Sequence, residues 1–272
     1  MKLSEVMTTD VVTVCPDDSL DHALALLDRH GFRHLPVVHL GSLVSILSRR
    51  DLSLATGWLS CAERKDRGDR GPDIVREIMR DRVVTLTPDH GVEAAASMMV
   101  GKRLGVIPLL SNSLLVGIVT TSDILEAIRR RNPRAEWVGR EEGRAKVSEY
   151  MQYKPLTLPP GRDTSEAAGL CRSGELRHVA ITEGGEIVGI VSEHELRYEL
   201  ENREPTHSQC LSEVMVTDVV TIGPDEDLTA AADRMIEERV SVLPVVDEKE
   251  LVGLLTEEAV MQHFTAKCRP PM

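Results

Sequence analysis

Residues 114–123 read LLVGIVTTSD, and this pattern occurs four times in the chain of 272 residues. The other copies are SLVSILSRRD at 42–51, EIVGIVSEHE at 186–195 and ELVGLLTEEA at 250–259. In each copy a short apolar run leads into a Ser or Thr, which predicts a strand followed by the start of a helix. The copies lie 72, 72 and 64 residues apart, so the chain consists of four copies of one unit.

Three other columns keep the same steps of 72, 72 and 64 residues. They are Met7, Met79, Met151 and Met215, then Thr13, Thr85, Thr157 and Thr221, then Pro16, Pro88, Pro160 and Pro224. No residue is therefore inserted or lost between these columns within a unit. Such registration indicates a copied small domain, because the period exceeds that of the usual stacked helical repeats.

Each unit predicts the order β-α-β-β-α, an α+β fold in which helices cover a sheet. The first strand is expected at Val11–Val14, Val83–Leu86, Leu156–Leu158 and Val219–Ile222. The helix that follows carries an apolar stripe with the spacing i, i+3, i+4, i+7, for example Leu20, Ala23, Leu24 and Leu27. Two short apolar runs joined by a tight polar link then predict a hairpin, as in Val179–Ile181 and Ile187–Val191 around Glu183-Gly184-Gly185.

One unit of roughly 50 residues buries too little surface to be stable alone. We therefore expect paired units with a shared core, in two pseudo-twofold modules at residues 1–130 and 145–265. The units within them are expected at about 1–58, 73–130, 145–200 and 210–265. The charged segments Ser60–Asp73, Arg129–Lys146 and Glu201–Gln209 are predicted to be linkers or exposed loops. Trp58 and Trp137 flank the units and are expected to cover module edges, with stacking on a ligand as the alternative.

Composition narrows the classes of partner and compartment. A net charge of −12 disfavours nucleic acid or an anionic membrane as the main partner. The N-terminal residues do not form a signal-peptide pattern, and no apolar stretch reaches the length of a membrane span. The five cysteines show neither C-x-x-C pairing nor a common position in the units, which favours reduced thiols, no metal site and a cytoplasmic location.

The strand end that meets the second helix is where a ligand is expected. Thr120 and Asp123 share the first helical turn, where free N–H groups and the helix dipole attract an anion such as phosphate. The carboxylate can also accept hydrogen bonds from ribose hydroxyls, and Gly117 would let a ligand approach the backbone. Ser or Thr followed three residues later by an acid is also an ordinary capping pattern, and repetition in register favours binding over that alternative.

The motif order S-E-V-M, V-V-T-V, P-D, L-P-V-V and h-G-h-h-[ST]-x-x-D resembles the CBS (cystathionine β-synthase) domain. The resemblance covers nearly the whole chain and implies two tandem pairs, called Bateman modules. It implies regulatory modules that bind AMP, ADP, ATP or S-adenosylmethionine in clefts between paired repeats. It also implies an unidentified protein partner and leaves homodimer formation open.

The resemblance implies specific ligand contacts. The motif hydroxyl and acid hold phosphate and ribose, Arg33 and His34 before L-P face the phosphates, and the main chain near Val12 meets adenine. Because one cleft mixes the first strand of one repeat with the motif of its partner, the implied first site is Val12, Arg33, His34, Thr120 and Asp123. The second implied site is Ser48, Asp51, Val84 and Gly105.

Departures from the pattern weaken some clefts. Ser45 stands where the other motifs have Gly and is expected to crowd its cleft modestly. In the third motif, Ser192 is followed by Glu195, which is one methylene longer than Asp. The fourth motif has Ala259 and cannot make the ribose contact. The second module is thus the weaker candidate, although Arg177 and His178 keep a basic pair there.

The sequence contains no H-E-x-x-H, G-x-x-x-x-G-K-[ST] or G-x-G-x-x-G motif, which disfavours an enzyme. Two functions stay open. The chain is either a sensor of adenosine nucleotides that acts on a partner protein, or a constitutive interaction scaffold with vestigial clefts. S-adenosylmethionine is an alternative ligand.

Overall fold

We analysed a computed structural model of the chain. It describes residues 1–56, 64, 66, 68, 71–80, 82–131, 145–172, 176–193, 195–197 and 209–266. Trp58, Trp137 and most of the three expected linkers lie outside these ranges. Where the second linker was expected to begin, Arg129 to Arg131 instead complete a helix.

The elements follow the predicted β-α-β-β-α order, and the α+β assignment is confirmed. The helices are α1 (Leu20–His30), α2 (Arg49–Thr56), α3 (Val92–Lys102), α4 (Thr121–Arg131), α5 (Thr164–Arg172), α6 (Leu211–Val214), α7 (Leu228–Glu237) and α8 (Glu257–Ala266). The strands are β1 (His34–His39), β2 (Ser42–Ser48), β3 (Val106–Ser111), β4 (Leu114–Thr120), β5 (Gln152–Tyr153), β6 (Thr157–Leu158), β7 (His178–Glu183), β8 (Glu186–Ser192), β9 (Val242–Asp247) and β10 (Glu250–Thr256). Single 3-10 turns cover Leu3–Glu5, Val75–Glu77 and Val147–Glu149.

The first helix of each repeat buries the stripe that the sequence predicts. On α1, Leu20, Ala23 and Leu27 are fully buried, and the matching positions of α3 and α7 are at most 3% exposed. The Ser19 hydroxyl accepts a hydrogen bond from the His22 N–H at 3.1 Å and caps α1. One apolar face on each helix therefore packs against the sheet.

The four predicted hairpins form with a common geometry. Each pairs two antiparallel strands, and each has one register shift at the same place, for example between Leu109 and Leu110. In all four repeats the residue after the motif hydroxyl donates its N–H to a carbonyl just before the first hairpin strand, as Thr121 does to Gly105 at 3.1 Å. The hairpin thus delivers every motif to the same position at the start of the second helix.

The predicted first strands are shorter than expected. Among the described residues, only the third repeat forms a two-residue strand there, β6, which pairs in parallel with β7. Val14, Leu86 and Ile222 each make a single parallel bridge to their hairpin. The following proline and turn stop the ladder after one pair, because proline cannot donate to it.

The repeats pair in two modules by exchanging their lead segments, which we define as residues 1–9, 73–80, 145–153 and 209–216. The first lead segment donates from the Leu3 N–H to His90 of the second repeat, and the second lead segment accepts from Leu20 of the first repeat, both at 2.9 Å. The third and fourth repeats make the same exchange. Ser42 pairs with Leu114, and Glu186 pairs with Glu250, so the hairpins of each module form one sheet. This reciprocity confirms two pseudo-twofold pairs.

The apolar cores are not divided as the sequence argument expected. The largest cluster joins the second repeat to the fourth, which belongs to the other module, and includes Leu125, Met261 and the lead residues Leu3 and Val147. The first repeat and the third repeat each have a separate cluster. Each separate cluster is completed by an exchanged lead residue, Val75 or Leu211. The modules are consequently held together through the helices of the second and fourth repeats.

Candidate functional site

Three of the four motifs form the capping arrangement that the sequence left as an alternative to binding, and the fourth, which has Ala259, keeps only part of it. The Asp123 Oδ2 atom accepts hydrogen bonds from the Thr120 N–H at 2.8 Å and from its hydroxyl at 2.7 Å. Asp51 and Glu195 accept the same bonds from Ser48 and Ser192. Capping and ligand contact are compatible, because the Asp123 bonds use one of the two carboxylate oxygens.

The motif glycine has a different role from the one expected. A Cβ atom at Gly189 would lie 2.4 Å from the Met215 sulfur, and one at Gly253 would lie 2.4 Å from the Met151 sulfur. At Gly117 the obstacles are Met7 and the Thr8 carbonyl, at 2.8 and 3.0 Å. The glycine makes room for the methionine that recurs in each exchanged lead segment. Packing therefore explains why the position holds a small residue in every copy.

Ser45, at the glycine position of the first motif, also contacts a lead segment. The expectation that it crowds a ligand cleft was therefore wrong. Its side chain is fully buried against the second lead segment. The Ser45 hydroxyl donates to the Arg80 carbonyl at 2.9 Å and accepts from the Arg80 N–H at 3.0 Å. It therefore packs on the exchanged lead segment instead of crowding a ligand cleft.

The first module brings the first repeat beside the motif of the second, as the first predicted site requires. The first lead segment pairs with β4 at Thr8 and Ile118, two residues before Thr120. A Cβ atom added to Gly105 would lie 3.0 Å from the His34 ring. The half-buried Val12 packs on the core of its own repeat. Its role at adenine stays a prediction.

In the second predicted site, the motif acid Asp51 is paired with an arginine, whereas, in the part of the chain that the structure describes, the motif acid of the first site is not. The Arg80 guanidinium donates to the Asp51 Oδ1 atom at 3.1 Å, and so uses the oxygen that ribose would need. Thr8 stands at the equivalent position of the first lead segment. Among the described residues no cation pairs with Asp123. Val84, the implied adenine contact of this site, is half-buried four residues after Arg80.

The basic pairs of the first and third repeats face each other across the modules. Burial, together with the charges of Arg33 and Arg177, lowers the pKa of His34 to about 4, although Asp51 opposes the shift. Burial also lowers the pKa of His178 to about 4; Glu195 opposes this shift, and the same two arginines add to it. Both imidazoles are consequently neutral near pH 7, and the positive charge is that of the arginines.

Both arginines are engaged by the fourth repeat. The Arg33 Nη2 atom lies 3.4 Å from the Glu257 Oε2 atom, and the Arg177 Nη1 atom lies 3.1 Å from the Glu258 Oε1 atom. The Ser122 hydroxyl donates to the Glu257 Oε1 atom at 2.7 Å. Arg33 and the turn that carries Asp123 are thereby brought together. Sequence reasoning missed both acids, although two consecutive Glu residues after the hydroxyl occur in the fourth motif alone.

A cavity of about 360 Å³ opens where the second repeat faces the fourth. Its polar lining includes Arg103, Thr121, Arg177, Thr256 and Glu258, and Ala259 lies in its wall. This volume is at the lower end for a small-molecule site. The cavity lies at the motif that sequence reasoning ranked as the weakest, and the loss of its acid at Ala259 was the reason for that ranking.

Membrane-spanning helices and clusters of metal-ligating side chains are both absent from the described part of the chain. No helix there is long and apolar enough to cross a bilayer. No group of three or more His, Cys, Asp or Glu side chains is arranged there to hold a metal ion. The thiols of Cys15, Cys171 and Cys210 are free, and burial raises the pKa of Cys171 to about 12. Cys61 and Cys268 lie outside the described residues.

Comparison with known families gives four matches to the CBS domain, at residues 3–56, 75–130, 147–202 and 211–265. Uncharacterized protein MJ1225 of Methanocaldococcus jannaschii is 25% identical over 276 residues, which cover 93% of this chain and 95% of that protein. Protein MJ1404 of the same organism is 25% identical over 281 residues, which cover 96% of this chain and 61% of that protein. The CBS domain-containing protein YhcV of Bacillus subtilis is 31% identical over 122 residues, which cover 45% of this chain and 81% of YhcV.

Two solved structures share the fold over nearly the whole chain. The crystal structure of MJ1225, described as a proposed archaeal homologue of γ-AMPK, has a TM-score of 0.78 at 22% identity. A conserved protein from Pyrococcus horikoshii has a TM-score of 0.65 at 20% identity. Each match covers 97% of this chain and 100% of the other chain. At this level of identity the similarity establishes the fold.

Proposed function

The chain belongs to the CBS domain family, and from this premise we propose that it is a cytoplasmic, non-catalytic regulatory protein that binds an adenosine nucleotide. The proposed cleft lies in the first module, between the first repeat and the motif of the second. A ligand that binds one conformation better than another would change the contact with a partner protein. The two modules, residues 1–130 and 145–265, are the proposed regulatory units.

The observation that carries this proposal is the position of Arg33 beside the second motif. Glu257 links Arg33 to Ser122, which is the neighbour of Asp123. One carboxylate then bridges a guanidinium and a helix start, and both of these groups favour a phosphate. Asp123 keeps one carboxylate oxygen outside its capping bonds, and that oxygen is the proposed acceptor for the ribose hydroxyls.

Other features favour the scaffold alternative for the second module. Ala259 lacks the acid, and the Thr256 hydroxyl accepts a hydrogen bond from the Ala259 N–H at 3.3 Å, which preserves part of the helix cap without it. The fourth motif thus keeps its structural function after losing the proposed ligand contact. We propose that the first module binds the nucleotide and that the second serves mainly in interaction.

Thermal shift with AMP tests the proposal. AMP should raise the melting temperature of the wild-type chain, with a stabilisation of about 2.7 kcal/mol at a hundredfold excess over the dissociation constant. Asp123→Ala should remove most of this shift, because the ribose acceptor is lost. Thr256→Ala is the matched control and should keep the shift, since its motif already lacks the acid.

Each shift is measured against the same variant without AMP, so that loss of the helix cap does not affect the comparison. If Thr256→Ala abolished the shift and Asp123→Ala preserved it, the ligand would occupy the cavity at the fourth motif. If AMP, ATP and S-adenosylmethionine all failed to shift the wild-type chain, the scaffold function would be favoured.

A further inference from the structure

Glu257 makes contacts with two repeats of the other module from one carboxylate. Its Oε2 atom faces Arg33 of the first repeat at 3.4 Å, and its Oε1 atom accepts from Ser122 of the second repeat at 2.7 Å. Its side chain is 10% exposed, whereas that of Arg33 is 47% exposed. The acid is therefore well fixed at the start of α8, and the arginine reaches it from the solvent side.

This arrangement is specific to the fourth repeat. The equivalent residues of the first three repeats are Arg49, Thr121 and Glu193. Arg49 pairs with Asp28, and the Thr121 hydroxyl donates to the Gly105 carbonyl at 3.3 Å. Among the described residues of the first three repeats, no residue at this position makes the contacts that Glu257 makes. The fold therefore does not require these contacts.

We propose that Glu257 is a specificity determinant of the Arg33 cleft, because it occupies in the ligand-free chain the place at Arg33 that a ligand phosphate takes. The inference rests on the proposed function. A phosphate that approaches Arg33 must displace this carboxylate or lie beside it, and like charges at close range repel. The phosphate consequently adds less to affinity than an unpaired arginine would allow.

The nucleoside part of the ligand is not subject to this competition. Adenine and ribose carry no charge, so removal of the Glu257 charge should leave adenosine affinity nearly unchanged. The ratio of the adenosine dissociation constant to the AMP dissociation constant therefore isolates the effect on the phosphate. Glu257→Gln has the same shape and keeps an oxygen that can accept from Ser122.

Isothermal titration of the full chain with AMP and with adenosine tests the inference. Glu257→Gln should raise the ratio by about fivefold, the upper end for one partly exposed charge interaction. Arg33→Ala in the Glu257→Gln background should cancel the gain, since the phosphate partner is then absent. Glu258→Gln is the matched control: it removes the same charge one residue away, from Arg177, and should leave the ratio at the wild-type value.

The outcomes separate the inference from the proposed function. If both ligands bind and Glu257→Gln leaves the ratio unchanged, Glu257 does not compete with phosphate, and the proposed function stands. If Glu258→Gln raises the ratio as much, the effect is one of general charge, and the inference is overturned. If neither AMP nor adenosine binds the wild type or Glu257→Gln, the inference fails, and the proposed function then depends on whether ATP or S-adenosylmethionine binds.

Discussion

The contact between the two modules has two halves of opposite chemistry. Where the second repeat meets the fourth, one apolar cluster runs through both and includes Leu125 and Met261, each 1% exposed. Where the first repeat meets the third, Asp28 on α1 accepts hydrogen bonds from Arg49 and from Arg197 of the third repeat. We infer that the apolar half supplies most of the stability, whereas the ionic half fixes the alignment, because apolar burial is non-directional and ion pairs are directional.

The ion pairs of the ionic half are less exposed to solvent than an ordinary surface ion pair. The side chain of Arg197 is 2% exposed and that of Arg49 is 10% exposed, so Asp28 pairs with two guanidinium groups that are largely removed from solvent. Arg49 also donates to the Phe32 carbonyl at 3.0 Å. Removal of Asp28 takes a negative charge away from both buried guanidinium groups, and the loss of one partner of a buried ion pair costs much more than the net value of the contact.

The largest effect is expected in the apolar half. Leu125→Ala should reduce the free energy of unfolding by about 4 kcal/mol, towards the upper end for a buried leucine, since its cavity would lie in a core shared by two modules. Leu52→Ala is the matched control, a fully buried leucine on the second helix of the first repeat. It should cost less, about 2 to 3 kcal/mol, because its cluster serves one repeat and one lead segment. Urea unfolding of both variants checks the order, and a larger loss for Leu52→Ala would contradict the assignment of the main stabilising core.

The next effect concerns the ionic half. Asp28→Asn should cost about 2 to 3 kcal/mol, somewhat below the range for a fully buried pair, since the Asp28 side chain is 30% exposed. Asp233→Asn is the control, because Asp233 also pairs with an arginine of the other module, Arg129, but both side chains are more accessible. It should cost less than about 1 kcal/mol. Equal losses from the two variants in urea unfolding would show that burial of the triad has no special importance.

The sequence predicted what is periodic within a repeat. The apolar stripe on α1 and the four hairpins were predicted from the spacing of apolar residues, because that spacing depends on local secondary structure. The exchange of lead segments was not predictable from the residues. The recurrence of Met7 and of Gly117 in register shows that both positions matter, but it does not show that the methionine of one repeat packs on the glycine of another. The role of Glu257 was also missed, since loss of the acid at Ala259 was interpreted as damage to a motif. Asp28 is a single charged residue outside any repeated column, so no sequence pattern marked it as a contact between modules.

The smallest effect is a pH dependence confined to the ionic half. Burial raises the pKa of Asp28, but the hydrogen bonds and charges of Arg49 and Arg197 outweigh it and hold the pKa below the ordinary value of 3.8. A carboxyl group whose folded pKa lies below its unfolded pKa stabilises the fold above the unfolded value, and this stabilisation is lost as pH falls through the folded value. The difference in unfolding free energy between the wild type and Asp28→Asn should therefore be constant from pH 7 to pH 5 and shrink below about pH 4. Urea unfolding of both proteins at pH 7, 5 and 3 measures that difference directly. A difference that persisted unchanged at pH 3 would mean that the charge of Asp28 is not what the Asn variant loses, and the contrast between an ionic and an apolar half would then be lost.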